Sequence, residues 1–134
     1  MTFEKQGRQN TEAALKLAIE AAREEGIHKI VVASTTGATA KKLAEMEHEG
    51  IQIIDVGYAR GVFGKHEAQM SDEMRQELEA MGVTVYVASH ALSGAERGLS
   101  VKLGGFGPVE VAAHALRIIG RGVKVCVEIS MMAA

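Results

Sequence analysis

One stretch constrains the fold of this chain more than any other, because it encodes a strand, a turn and a helix back to back. The apolar, β-branched run that begins at Ile30 stops at three hydroxyl residues and Gly37. A segment rich in Lys and Ala, typical of a helix, follows over residues 41–48. This order predicts a buried strand, a tight turn and the N-terminus of a helix.

The same turn is a candidate phosphate-binding site. Backbone N–H groups at the start of a helix have no partner inside the helix, and the helix dipole is positive there. Hydroxyl and glycine residues are dense at this point, namely at Ser34, Thr35, Thr36, Gly37 and Thr39. A simpler interpretation is that Thr36 or Thr39 only caps the helix. The density of hydroxyl groups favours phosphate binding over a cap alone.

Helical and strand-like segments alternate along the rest of the chain. Asn10, Ser71 and Pro108 are placed to begin helices, and Gly26 is placed to end one. The predicted helices cover residues 11–22, 41–48, 72–81 and 109–119, and the predicted strands cover residues 29–33, 51–56, 83–88 and 124–129. Such alternation is typical of an α/β domain with a largely parallel sheet. Cys126 has apolar neighbours in the last predicted strand and is expected to be a buried structural thiol.

Two segments interrupt this alternation where open α/β sheets bind ligands. Residues 57–67 carry three glycines together with Arg60, Lys65 and His66, which suit either an anion site or a solvated surface loop. Residues 91–107 form a long glycine-rich connection after His90. A connection of that length inside a compact domain usually binds or covers something, but this one matches neither the dinucleotide-binding nor the Walker A pattern.

Composition narrows the classes of partner. The 134 residues suit one domain, and the net charge of -2 at pH 7 gives no basic field for nucleic acid. Aromatic residues make up 4% and tryptophan is absent, which disfavours stacking on bases. No apolar run is as long as a membrane span, and the first ten residues lack the character of a signal peptide. The single cysteine agrees with a reducing cytoplasm, and the scattered histidines predict no metal site.

Short motifs spread over nearly the whole chain match those of a known family. The most specific are His-Ala-Leu-Ser-Gly at residues 90–94 and the pair Arg97-Gly98. Further matches lie at residues 10–12, 31–40, 104–105, 108–110 and 125–129. The chain thereby resembles the stand-alone pyruvate kinase C-terminal-domain-like proteins, a family of uncertain function. The resemblance implies a three-layer α/β/α fold with a mostly parallel sheet, formed by residues 1–134 as a single domain.

The resemblance also carries expectations about ligands. In the related domain of pyruvate kinase, a Ser-Thr-Ser-Gly-Thr-Thr loop binds a phosphate of the sugar-bisphosphate activator. Phosphate binding is therefore implied at residues 34–39, although Ala38 removes one hydroxyl group. The family usually continues with a further helix and a glycine-rich strand and turn, before which this sequence ends. The catalytic barrel of pyruvate kinase is also missing, so phosphoryl transfer from phosphoenolpyruvate is not expected.

The leading functional hypothesis is a cytoplasmic module that binds a phosphorylated small molecule. Members of the family look able to hold flavin mononucleotide (FMN), which is therefore the first ligand to consider. The hydroxyl turn would hold the phosphate through N–H and hydroxyl donors. His90, Ser93, Gly94 and Arg97 would form the opposite wall, with Arg97 pairing bidentately with an anion. No nucleic acid or membrane partner is expected.

Two other functions stay open on the sequence alone. The chain would be an enzyme, flavin-dependent or not, if His90 acts as an acid or base at the carboxyl end of its strand. It would be a structural or regulatory oligomerisation domain if the apolar face of residues 109–119 packs on a partner, although its own sheet is the expected destination. A homo-oligomer is also expected if the last predicted strand leaves an open sheet edge.

Overall fold

A computed structural model of the chain describes residues 2–58 and 69–134. After a short 3-10 turn at Arg8–Asn10, helices and strands alternate as the sequence predicts up to the third strand, and three helices follow it in the described part. The helices are α1 (Thr11–Glu24), α2 (Ala38–Ala44), α3 (Asp72–Ala80), α4 (Ala95–Leu103), α5 (Pro108–Ile119) and α6 (Arg121–Ala133). The strands are β1 (Lys29–Ala33), β2 (Gln52–Gly57) and β3 (Thr84–Val87).

The three described strands form a parallel sheet in the order β1-β2-β3. Asp55, in the middle strand, is in register with Val32 on one side and Val85 on the other. Because side chains alternate along a strand, these three residues share one face of the sheet. Because the strands are parallel, the carboxyl ends of all three lie at the same end of the sheet. The prediction of a mostly parallel sheet is confirmed.

The main core lies on the face of the sheet that α1, α2 and α3 cover. Leu15, Ile19 and Ala22 are buried there, at the helical spacing that the sequence shows, and Leu43 and Leu78 complete the contact from α2 and α3. Helix α6 packs against β1 and β2. Helices therefore lie on both faces, and the fold is the three-layer α/β/α arrangement.

Several predicted helix boundaries are confirmed and others shift. Pro108 occupies the first turn of α5, where its missing N–H costs nothing. The Ser71 side chain accepts a hydrogen bond from the Met74 N–H at 3.2 Å and caps α3. Asn10 makes no such cap on α1, because its amide donates to the Lys5 carbonyl instead. Helix α2 ends at Ala44, earlier than predicted.

The predicted strand over residues 124–129 is wrong, because this segment lies inside helix α6. Alternation of β-branched residues suggested a strand, yet the buried residues are Lys124, Glu128 and Ile129, which recur at helical spacing. Cys126 lies on the opposite side of the helix and is exposed, so the expected buried thiol is also wrong. Because this segment is helical, it leaves no open sheet edge, and the homo-oligomer expected from such an edge loses its support.

The predicted connection over residues 91–107 is also not a continuous loop, since α4 occupies its middle. Helix α4 begins at Ala95, a good helix former. Glu96 lies in its first turn, where the helix dipole stabilises a carboxylate. The glycines at both ends of α4 mark its limits, and Gly104 has φ +82°, a conformation suited to glycine. Arg60, Lys65 and His66 lie outside the described residues.

Candidate anion-binding cavity at the carboxyl ends of the strands

A cavity of about 830 Å³ lies beside the carboxyl ends of β1 and β2, bordered by helices α5 and α6. Small-molecule sites span roughly 300–1,000 Å³, so this volume fits a ligand of the size of a cofactor. Apolar side chains line one part, namely Ala33, Val56, Leu92, Ala113 and Val125. The polar lining residues are Ser34, Thr35, Tyr58, His90, Ser93, Arg97, Glu110, His114, Arg117, Arg121, Lys124 and Glu128.

The hydroxyl turn that follows β1 contributes two of its residues to the cavity, Ser34 and Thr35. The Ser34 hydroxyl group is buried and accepts a hydrogen bond from the backbone N–H of Thr39 at 3.1 Å. This bond occupies one of the free N–H groups at the start of α2. Capping is therefore part of the role of the turn, and Ser34 supplies it rather than Thr36 or Thr39.

A buried polar cluster centred on Glu128 ties α6 to the segment after β3. The Glu128 carboxylate is 1% exposed and accepts hydrogen bonds from the Leu92 N–H (2.8 Å), the Ser93 hydroxyl (2.9 Å) and the Lys124 ammonium group (2.5 Å). Its Oε2 atom also lies 3.1 Å from Nδ1 of His90. Burial raises the pKa of Glu128, but these hydrogen bonds outweigh it and bring the pKa to about 2. The group is ionised at neutral pH.

The imidazole ring of His90 is held on two sides. Glu128 contacts Nδ1, and the ring of Tyr58 packs against the imidazole with centroids 4.7 Å apart and planes at 39°. The other ring nitrogen, Nε2, is buried and has no hydrogen-bond partner in the described part of the chain. A carboxylate on one nitrogen fixes the tautomer and the orientation of a histidine, which is an arrangement that both ligand binding and acid–base chemistry use.

Three arginine side chains give the cavity an excess of positive charge. Within residues 2–58 and 69–134, the guanidinium groups of Arg97, Arg117 and Arg121 take part in no ion pair or hydrogen bond, whereas Lys124 is neutralised by Glu128. The remaining acidic lining residue is Glu110. The lining therefore combines unpaired cations, hydroxyl groups and an apolar wall, a composition suited to an anion with an organic body.

Residues 12–134 match the family model described as pyruvate kinase, alpha/beta domain. The chain belongs to this family. The match covers essentially the whole sequence, so the predicted resemblance and the fold class that it implied are both confirmed. In this pyruvate kinase α/β domain, the end of β1 and the start of the turn that follows it line the cavity, through Ala33, Ser34 and Thr35.

The domain brings most of the predicted binding residues to one place. His90, Ser93 and Arg97 line the same cavity as Ser34 and Thr35, because the carboxyl ends of β1 and β3 meet at one edge of the parallel sheet.

The remaining predicted binding residues have other positions. Thr36, Gly37 and Thr39 belong to the turn but are not part of the lining. Gly94 begins α4, and a Cβ atom there would lie 2.6 Å from the His90 carbonyl oxygen. Gly94 therefore has a structural requirement for glycine that is independent of any ligand.

Sequence reasoning missed the residues that α5 and α6 contribute. Arg121, Lys124 and Glu128 are separated by three and four positions, which is helical spacing, and Arg117 precedes Arg121 by four. That signal was present in the sequence but was hidden by the assignment of residues 124–129 to a strand. Glu110 lies in the family motif at residues 108–110 but was not predicted to be a binding residue, and Tyr58 carries no comparable signal, because its place at the cavity depends on the packing of separate elements.

Asp55 is an isolated buried carboxyl group beneath the hydroxyl turn, on the opposite face of the sheet from the cavity. It is 0% exposed, and neither oxygen has a hydrogen-bond partner among the described residues. Burial raises the pKa of Asp55 to about 7, and the nearby Ser34 backbone N–H, short of hydrogen-bond geometry, offsets this only in part. Asp55 is therefore partly protonated near neutral pH.

Neither a metal-binding cluster nor a membrane-spanning helix is present among the described residues. No group of three or more His, Cys, Asp or Glu side chains lies close enough together there to hold a metal ion. None of the helices in residues 2–58 and 69–134 combines the length and the apolar character needed to cross a bilayer.

Proposed function

We propose that this domain binds a phosphorylated small molecule in the cavity. The observation that carries the proposal is the set of three arginines, Arg97, Arg117 and Arg121, that line one cavity without a counter-ion among the described residues. Like charges gathered around a partly enclosed space repel one another, and a bound anion relieves that repulsion. Guanidinium groups match phosphate oxygens bidentately, so phosphate is the favoured anion.

The other parts of the lining support an organic phosphate over a free one. Ser34 and Thr35 offer hydroxyl donors beside the start of α2. Val56, Leu92 and Val125 offer an apolar surface on which the body of a ligand can pack. FMN combines a phosphate with a flat, largely apolar ring system, and it is therefore the leading candidate ligand.

The test is a fluorescence titration of FMN into the parent protein and into a variant with Arg117→Ala and Arg121→Ala together. We expect the double variant to bind FMN at least about tenfold more weakly, because each charge-assisted hydrogen bond contributes about 1.5–3 kcal/mol. Arg8→Ala is the matched control, since Arg8 is a basic residue that does not line the cavity. Inorganic phosphate is expected to compete with FMN in the parent protein.

Two results would contradict the proposal. One is the absence of FMN binding, and of binding by inorganic phosphate, at millimolar concentrations in the parent protein. The other is an equal loss of affinity in the control and in the double variant, which would mean that general charge and not the cavity attracts the ligand. Circular dichroism spectra of all three proteins verify that the fold is retained.

A further inference from the structure

The Glu128 carboxylate determines which nitrogen of His90 carries a proton. Oε2 of Glu128 is an acceptor at 3.1 Å from Nδ1, so Nδ1 is the donor in this contact. In the neutral ring the other nitrogen, Nε2, then has a free lone pair and is an acceptor. No described residue donates a hydrogen bond to it.

Glu110 places a second acceptor in the lining of the same cavity. It lies in the first turn of α5, where its own backbone N–H donates to Oε1 of Glu96 at 3.0 Å. That hydrogen bond joins α4 to α5 and fixes the position of the residue. The Glu110 Oε2 atom is buried and, in the described part of the chain, has no hydrogen-bond partner.

Two unsatisfied acceptors beside unpaired cations constrain the chemistry of a ligand. Buried acceptors without donors are unfavourable, and the structure supplies no donor for either atom among its described residues. A fully ionised phosphate has hydrogen-bond acceptors only. It therefore pairs with the arginines but donates no hydrogen bond to Glu110 or His90. A ligand body that carries hydroxyl or N–H groups supplies the missing donors.

We propose that Glu110 and His90 accept hydrogen bonds from hydroxyl or N–H groups of the ligand, so that the cavity selects a phosphorylated ligand with such donors over bare phosphate. This inference rests on the proposed function and names the ligand class for the same site. Both acceptor atoms are buried, and both residues line the cavity. FMN belongs to the class, through its ribityl hydroxyl groups and its ring N–H.

Calorimetric titration with two probes, FMN and sulfate, tests the inference, because sulfate is fully ionised near neutral pH and, like a fully ionised phosphate, has acceptors only. We expect Glu110→Ala to weaken FMN binding about tenfold, the equivalent of one good hydrogen bond, and to leave sulfate binding unchanged or slightly tighter. His90→Phe keeps a ring beside Tyr58 but lacks the acceptor, and we expect the same selective loss. Glu20→Ala is the control, because Glu20 is an exposed acidic residue that does not line the cavity.

The results separate this inference from the proposed function. Unchanged or tighter FMN binding by Glu110→Ala overturns the inference alone, since the carboxylate would then only repel the phosphate. An equal loss for both probes also overturns it, because Glu110 would then merely hold α5 in place. Failure of both probes to bind the parent protein overturns the proposed function, and the ligand class falls with it.

The tautomer of His90 gives a readout that needs no ligand. Long-range nitrogen-15 correlation spectra are expected to show a protonated Nδ1 in the parent protein at pH 8. In Glu128→Gln the fixed acceptor is replaced by an amide, and we expect a mixture of tautomers. A protonated Nε2 in the parent protein would remove one of the two acceptors and contradict the inference.

Discussion

At the scale of single residues, the burial of a polar side chain and its hydrogen-bond partners could not be predicted from its position in a sequence motif. Asp55 was not a candidate in the sequence, because an acidic residue near the end of a strand has no distinctive pattern. Ser34 was a candidate, and its hydroxyl group caps α2 while the residue also borders the cavity. Sequence reasoning thus locates polar residues at strand ends, but the depth at which each is buried follows from packing between elements.

Asp55 makes the stability of the domain depend on pH. Its pKa rises from 3.8 in the unfolded chain to about 7 in the folded one, so the folded state binds the proton more tightly. The stability that this provides is fully present below about pH 4 and is lost as the pH rises through 7. We expect a loss of roughly 2–4 kcal/mol across that window, the lower value allowing for solvent screening.

Urea unfolding of the parent protein and of Asp55→Asn at pH 5 and pH 8 measures this dependence. The amide of the variant does not titrate, so its free energy of unfolding is expected to change less between the two pH values. At pH 8 the variant is expected to be the more stable protein. An identical pH dependence in both proteins would show that Asp55 is not the responsible group.

At the scale of elements, α6 shows how a strand-like pattern is overruled. The apolar and β-branched residues of 123–129 satisfy both a period of two and a helical period, and short runs of this kind do not discriminate. The helix prevails because Lys124, Glu128 and Ile129 form one buried face against the rest of the domain. The first three strands were predictable, since apolar runs bounded by glycines and caps leave fewer alternatives.

The Lys124–Glu128 pair is expected to stabilise the position of α6 strongly. Both side chains are almost fully buried, so removal of one partner leaves an uncompensated charge, which costs about 3–5 kcal/mol. In urea unfolding, we expect Lys124→Met to lower the free energy of unfolding by an amount in that range. We expect the double variant with Lys124→Met and Glu128→Leu to lose much less than the sum of the losses of the two single variants.

The exposed pair Glu12–Lys16 is the matched control, with the same spacing on α1 and side chains that are 67% and 61% exposed. Its removal is expected to leave the unfolding midpoint essentially unchanged. Similar losses for the two pairs, or strict additivity within the buried pair, would mean that the ion pair does not fix α6.

At the scale of the whole molecule, many large apolar side chains are exposed on the helices of the second half and on the segment between α4 and α5. Leu103, Phe106 and Ile118 are 76%, 82% and 88% exposed, and β1 and β3 each leave one edge without a partner strand among the described residues. Exposed apolar side chains favour association where they lie together in one patch. The sequence suggested an oligomer through a supposed last strand or through the apolar face of residues 109–119. The strand is absent from the described residues, whereas exposed apolar side chains lie on α4, on α5 and on the segment between them.

We therefore expect the chain of 134 residues to self-associate as its concentration rises. Sedimentation equilibrium between about 5 and 200 μM is expected to show a rising mass, and Ile118→Glu is expected to suppress it because a carboxylate is costly to bury. Glu24→Gln, on the far side of the molecule, serves as the control. A constant monomer mass throughout the range would refute the expectation.

The main core lies under α1, α2 and α3 on one face of the sheet, and the cavity lies beside α5 and α6 on the other. We consequently expect substitutions of Leu15 or Leu78 to lower the free energy of unfolding, and substitutions of Arg117 or Glu110 to change the affinity for the proposed ligand. If the cavity binds the proposed ligand, variation in Arg117 and Glu110 can change the ligand while Leu15 and Leu78 keep the fold, and an engineer can strengthen the core first and redesign the cavity lining afterwards.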